Sequence, residues 1–131
     1  MASIRKEIPI AAPAAEVWDA IADFHRVHER VAPGFLTGLV AEDGARTVTF
    51  SNGSVARELL VSCDAEARRL AYTIPSAQMS AHMASVEVFE DEADRSRIVW
   101  ITDVLPNEMA DYIDGQMTLA APIMARTLGR G

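Results

Sequence analysis

The chain has 131 residues, a formal net charge of -7 at pH 7 and a single cysteine. That length suits one domain spanning 1–131, large enough to bury a core without disulfide or metal staples. The acidic balance argues against a nucleic-acid partner, which needs a basic face, and against charge-driven docking on anionic lipid.

A lone cysteine makes no internal disulfide. Cys63 closes the apolar run Leu59, Leu60, Val61, Ser62 and is expected to be a buried, inert thiol. Met1 to Lys6 lacks the apolar stretch of a signal peptide, and no segment is apolar enough for long enough to cross a bilayer. A cytoplasmic protein without membrane insertion is the expectation.

The first element, Ile4 to Ala11, alternates as a strand, and Pro9 places it at an edge or strand end. Pro13 fits the first turn of a helix, and Val17, Trp18, Ile21, Ala22 and Phe24 follow at helical spacing. Asp23 to Val31 reads as a second short helix ending before Pro33-Gly34.

Strands then dominate. Phe35 to Ala41 is apolar, Glu42-Asp43-Gly44 is a turn, and Arg46 to Ser51 alternates. Asn52-Gly53 is a hairpin signal, with Ser54 to Ser62 as the partner strand. After a polar turn at Asp64 to Arg68, Arg69 to Pro75 forms another strand. A Ser/Ala/Met-rich segment leads into a long strand ending near Glu90. The acidic run Glu90, Asp91, Glu92, Asp94 marks a solvated tip, and Arg95 to Leu105 is the last strand.

From Asn107 the period becomes helical, with Met109, Tyr112, Ile113, Met117, Leu119, Ile123, Met124 and Leu128 as its apolar stripe. Pro122 should kink or divide this helix. Strands that follow one another without intervening helices imply an antiparallel sheet. The fold class is α+β: a seven-stranded curved antiparallel sheet around a long C-terminal helix, with two short helices after the first strand.

Several segments resemble the START/polyketide cyclase superfamily, also called SRPBCC or birch-pollen-allergen-like. Ile10-Ala11-Ala12-Pro13-Ala14-Ala15-Glu16-Val17-Trp18-Asp19 is similar to its strand-to-helix entry. Gly44-Ala45-Arg46, Asn52-Gly53 and Arg57-Glu58-Leu59-Leu60 resemble its central hairpin. Asp64 to Tyr72 resembles the following turn and strand, and Val99-Trp100-Ile101-Thr102 its last strand. The resemblance covers nearly the whole chain and implies a helix-grip fold with an apolar cavity. Members bind lipids, sterols, hormones or polyketides, and some catalyse cyclisation, dehydration or condensation. This chain is shorter than the larger members, which leaves room for a smaller or differently shaped cavity.

The sharpest candidate pair is Arg46 and Glu58. A two-residue Asn52-Gly53 loop pairs Ser51 with Ser54 and sends the two side chains to opposite faces. A three-residue loop with Gly53 in the left-handed position pairs Phe50 with Ser54, and then Arg46 lies opposite Glu58 on the face of Val48 and Phe50. The resemblance favours the second register. Inside a cavity the pair could orient a polar ligand group or supply a proton-transfer carboxylate. The plain alternative is an ion pair on the solvated convex face.

His82 shares a face with Ala84, Val86 and Val88, with Glu87 on the other, so it points inward as a hydrogen-bond partner, a general base or a satisfied structural histidine. Trp100 inward would give the cavity a flat wall, with Asp103 outside. Tyr72, on a face with Leu70 and Ile74, offers a hydroxyl, and Met117 an adaptable apolar surface. His25 and His28 share one side of a short helix but have no third ligand at a motif spacing, so no metal site is expected. The methionines also serve as ordinary gap fillers.

The ligand-binding candidates are thus Arg46, Val48, Phe50, Glu58, Tyr72, His82, Trp100 and Met117, and the catalytic candidates Glu58 and His82. The expected partner is a hydrophobic small molecule, with no cofactor and with a homodimer left open. Three functions compete. They are binding of a hydrophobic or amphipathic molecule, cyclase, aromatase or dehydratase chemistry upon it, and an interaction module with a collapsed cavity.

Overall fold

The computed structural model describes Met1–Arg130. The chain runs through β1 (Ala2–Ile10), α1 (Ala14–Ala22), a 3-10 turn (Phe24–Arg26), α2 (Val27–Arg30) and six further strands. These are β2 (Leu36–Glu42), β3 (Ala45–Phe50), β4 (Val55–Asp64), β5 (Arg69–Thr73), β6 (Ala81–Glu92) and β7 (Arg95–Leu105). A second 3-10 turn (Asn107–Met109) leads into α3 (Ala110–Leu128). The strands form one sheet in the order β1-β7-β6-β5-β4-β3-β2, every pair antiparallel.

The expected helix-grip architecture is present. β1 is an edge strand paired only with β7, which is why it tolerates Pro9. Pro13 stands one residue earlier than expected, as the extended cap of α1, and its carbonyl accepts the Glu16 and Val17 N–H groups. The inward faces of β1, β3, β5, β6 and β7 supply much of the core: Ile8 and Ile10, Val48, Leu70 and Tyr72, Ala84, Val86 and Val88, and Ile98. Outward residues such as Glu87 and Met83 alternate with them, as period-two patterning requires.

α3 buries Met117, Ala120 and Met124, at i, i+3 and i+7. Tyr112 and Leu119, part of the expected stripe, are exposed. The helix runs unbroken from Ala110 to Leu128 through Pro122. Both Pro122 and Thr118, whose carbonyl loses its i+4 donor, are on the solvent side, where that carbonyl is accessible to water.

Two further expectations are corrected. Cys63 is exposed rather than buried. β4 outruns its β3 partner at Leu59, and a register shift between Leu60 and Ser62 disrupts the remaining ladder, leaving Val61 and Cys63 in solvent. Partial burial and Asp64 nevertheless hold the thiol above its ordinary value, so it is a poor nucleophile. The acidic tip is also shorter than expected, because Glu90, Asp91 and Glu92 continue β6 and only Ala93-Asp94 make the turn.

Gly53 has φ +88, a conformation in which a Cβ is strained, and it sets the β3–β4 hairpin. Gly53→Ala should lower unfolding free energy by about 1–2 kcal/mol, read as a lower urea midpoint with an unchanged m-value.

Candidate functional site

The β3–β4 hairpin adopts the three-residue register. Phe50 N–H donates to Ser54 O at 2.8 Å and Gly53 N–H to Phe50 O at 2.9 Å. Arg46 is therefore directly opposite Glu58. Both side chains enter the molecule, and the residues are 5% and 6% exposed.

Arg46 is held from three directions. Its Nε donates to Glu58 Oε1 at 2.7 Å and its Nη1 to the Phe24 carbonyl at 3.0 Å. Its guanidinium carbon stands 4.0 Å from the Phe24 ring centroid and 5.2 Å from that of Tyr72. The fork is thus divided between a carboxylate and a carbonyl, leaving Glu58 Oε2 outside the Arg46 hydrogen bond. Burial raises the Glu58 carboxyl above its ordinary value, and the Arg46 charge opposes that shift. Burial, with Glu58 nearby, pushes the Tyr72 phenol far above its ordinary value, so it is a protonated donor.

A cavity of about 560 Å³ lies between the sheet and the start of α3. Phe50, Glu58, Tyr72, His82, Trp100 and Met117 line it, six of the residues expected there. An inner chamber of about 80 Å³ lies deeper, and Arg46 lines that one. Phe35, Phe50, Glu58, Tyr72 and Trp100 belong to both linings and form a waist between them. Val48 does not line either chamber. It is fully buried in the core, because β3 tucks it behind the wall.

His82 is half-buried, and its Nδ1 accepts the Ile74 N–H at 3.1 Å. Neutral His82 therefore carries its proton on Nε2 and presents a donor. Burial lowers its pKa, which favours that neutral form. Its ring is 6.1 Å from that of Tyr72. Trp100 packs against both core clusters, and its buried indole N–H lies beside the Tyr72 hydroxyl.

Sequence reasoning missed Phe35, Ile74, Met79, Thr102, Ile113 and Gln116 as lining residues. Thr102 shares a strand face with Trp100, and Ile113 precedes Met117 by one helical turn, so both were detectable. Phe35 precedes β2 and meets Phe50 edge-on at 5.6 Å, a contact that only the folded chain creates. At the mouth, Asn52 Nδ2 donates to the Tyr112 hydroxyl at 3.4 Å, linking the hairpin tip to α3.

His25 points elsewhere. Its Nε2 lies 2.8 Å from the Glu42 carbonyl and 3.0 Å from that of Ala45, pinning the 3-10 turn to the β2–β3 turn. His28 lies beside Glu29, at 3.3 Å. Among the described residues no group of three His, Cys, Asp or Glu side chains could hold a metal. Among them, too, no helix is long and apolar enough to cross a membrane.

The family model described as polyketide cyclase/dehydrase and lipid transport matches residues 1–130. The chain belongs to that family. This polyketide cyclase/dehydrase family member has no match among the curated proteins. Among solved structures it is 30% identical to a Thermobifida fusca protein, covering 99% of this chain and 95% of that one, with a TM-score of 0.77. An uncharacterised Bacillus thuringiensis protein superposes with a TM-score of 0.85 at 16% identity, over 97% of this chain and 98% of its own. A norcoclaurine synthase point mutant from Thalictrum flavum, in complex with a transition-state analogue, has a TM-score of 0.74 at 18% identity, over 97% and 93%. The last two likenesses show the fold alone.

The buried pair is a stability determinant in this family member. Arg46→Met leaves the Glu58 carboxyl buried without its partner and should cost about 3–5 kcal/mol, measured by urea denaturation near neutral pH. The sign of the pH effect follows from the raised carboxyl. Folded Glu58 keeps its proton to higher pH than in the unfolded chain, where the ordinary value is 4.5. Its proton-linked stability is complete below that value and is lost as pH rises through the folded one. The stability of Glu58→Gln relative to wild type should therefore increase from pH 4.5 upward. Urea midpoints that keep a constant difference across that window would contradict the assignment.

Proposed function

We propose that this protein binds a hydrophobic or amphipathic small molecule in the cavity between sheet and α3. The observation that carries the reading is the cavity itself, about 560 Å³ and mostly apolar in its lining. Sites for drug-sized ligands typically measure about 300–1,000 Å³ and combine apolar walls with a few placed polar groups. Here those groups are Glu58, Tyr72, His82 and Trp100 Nε1. Phe50 and Met117 provide apolar contact, and Arg46 holds Glu58 in place from the inner chamber. The family description, polyketide cyclase/dehydrase and lipid transport, supports the same ligand class. A cytoplasmic location belongs to this reading, supported by a fold that uses no disulfide.

An open cavity disfavours the interaction module with a collapsed interior. The second reading is an enzyme of the cyclase or dehydratase type, favoured by one feature. Glu58 is a buried carboxyl with a raised pKa, beside a protonated phenol, at the waist of the cavity. Such a carboxyl can exchange a proton with a bound ligand. His82 then serves as a donor through Nε2–H, because Nδ1 is occupied by Ile74.

A lipophilic ligand at 100 times its Kd should raise the unfolding free energy by about 2.7 kcal/mol. Saturable thermal stabilisation checks this, and Ala56→Phe, which fills the cavity from β4, should abolish it. Absence of stabilisation by any member of a lipophilic panel would refute binding. If the protein is an enzyme, Glu58→Gln should lower turnover far more than ligand affinity.

A further inference from the structure

We infer that two copies of this chain associate through β2, whose free edge pairs antiparallel with that of the second copy across a two-fold axis at Val40. The binding role proposed above plays no part in this, because Thr37 to Glu42 line neither chamber of the cavity.

The two edges of the sheet differ. β1 carries Arg5, Lys6, Glu7 and Pro9, and Lys6 pairs with Asp114 of α3. Charged side chains, proline and a covering helix are what keep an edge strand from joining another sheet. β2 has no charge and no proline from Leu36 to Ala41. Thr37, Val40 and Ala41 are exposed, Val40 to 65%. Backbone alternation fixes which groups are free. Leu60 N–H donates to Gly44 O and Phe50 N–H to Ser54 O, so Arg46 and Val48 between them also direct their backbone groups to β4. Thr47 and Thr49 therefore bond β2, through their partners Val40 and Gly38. Leu39 and Ala41 turn N–H and C=O away from β3, to the open edge.

Those groups accept a strand, and β2 itself complements them. With the axis at Val40, Leu39 of each copy faces Ala41 of the other, and the two exchange N–H···O=C bonds. The two Val40 side chains then meet as a non-hydrogen-bonded pair, where side chains approach most closely. Gly38 faces Glu42 of the second copy. Within its own chain this position has no need of glycine. Its φ is not positive, and an added Cβ would have Thr49 Oγ1 as its nearest neighbour, at 3.9 Å. A bare backbone in a strand suits the close approach of another chain. Here it leaves room for the incoming Glu42, whose charge Arg57 already opposes. Like charges do not face each other in this register. One strand pair buries little surface, so the dimer is weak and forms with rising concentration.

Sedimentation velocity of the full chain, from micromolar to millimolar concentration, should show a reversible monomer–dimer equilibrium. High salt should strengthen it by screening the repulsion between two chains of charge -7. Val40→Lys places two cations at the axis and should weaken the dimer at least about tenfold. Ala41→Pro removes an N–H that β3 does not use and should act in the same direction. Val61→Lys, at another exposed valine, should leave the dimer intact. Urea unfolding of the dilute variants checks that each is folded. In 15N-labelled wild type, the Leu39 and Ala41 amides should gain protection from hydrogen exchange as the dimer forms. The inference is overturned if the chain stays monomeric throughout, the result expected of an edge that takes a strand from a different protein. It is equally overturned if Val40→Lys and Ala41→Pro dimerise as wild type does, if Val61→Lys loses the dimer with them, or if Leu39 and Ala41 exchange unprotected in the dimer. Ligand binding is read separately, since Val40→Lys should keep the thermal stabilisation of wild type.

Discussion

The pairing of Arg46 with Glu58 is the interaction on which the rest of the site depends. Two charges removed from water are expensive, and their attraction repays the cost only when geometry and additional hydrogen bonds are good. The second condition explains the short helices after β1. The 3-10 turn delivers the Phe24 carbonyl to Nη1 and the Phe24 ring to the guanidinium face. His25, the next residue, pins that turn to the carbonyls of Glu42 and Ala45. The segment that looked like a helical connection is thus the third anchor of a buried cation.

The same pair divides the interior. With Arg46 turned inward toward Phe24, Glu58 and the Tyr72 phenol stand at a waist, and the space separates into an outer cavity and an inner chamber. Replacing such a pair by apolar residues is often neutral or stabilising. Removing one partner alone, by contrast, leaves a charge buried and unpaired, which is costly. The polar equipment there is one-sided. Tyr72 and Trp100 both offer protons, and Glu58 is the one acidic side chain among them.

Much of the architecture was legible in the chain. Alternation placed His82, Ala84, Val86 and Val88 on one face of β6 and Trp100 inward on β7, because a strand's side chains have a strict period of two. The change to helical spacing after Asn107 located α3. Burial was less legible where it depended on neighbours. The run ending at Cys63 reads as core by composition, but β4 extends past its β3 partner there, and sequence does not reveal where a partner stops. Leu119 is equally apolar and equally exposed, since the face of α3 that meets the sheet is chosen by the turn preceding it. Val48 shares the face of Arg46 and Phe50, yet lies in the core because cavity walls are decided by the curvature of the whole sheet.

The order and type of the elements, the inward faces and the candidate pair could be read from the chain alone, because periodicity is a local property of the backbone. Asn52-Gly53 was compatible with two registers, and the tertiary structure selected the one that faces Arg46 with Glu58. That choice is cooperative. The register that seats Phe50 against Phe35 also brings Arg46 under Phe24, and these partners lie far apart in the chain.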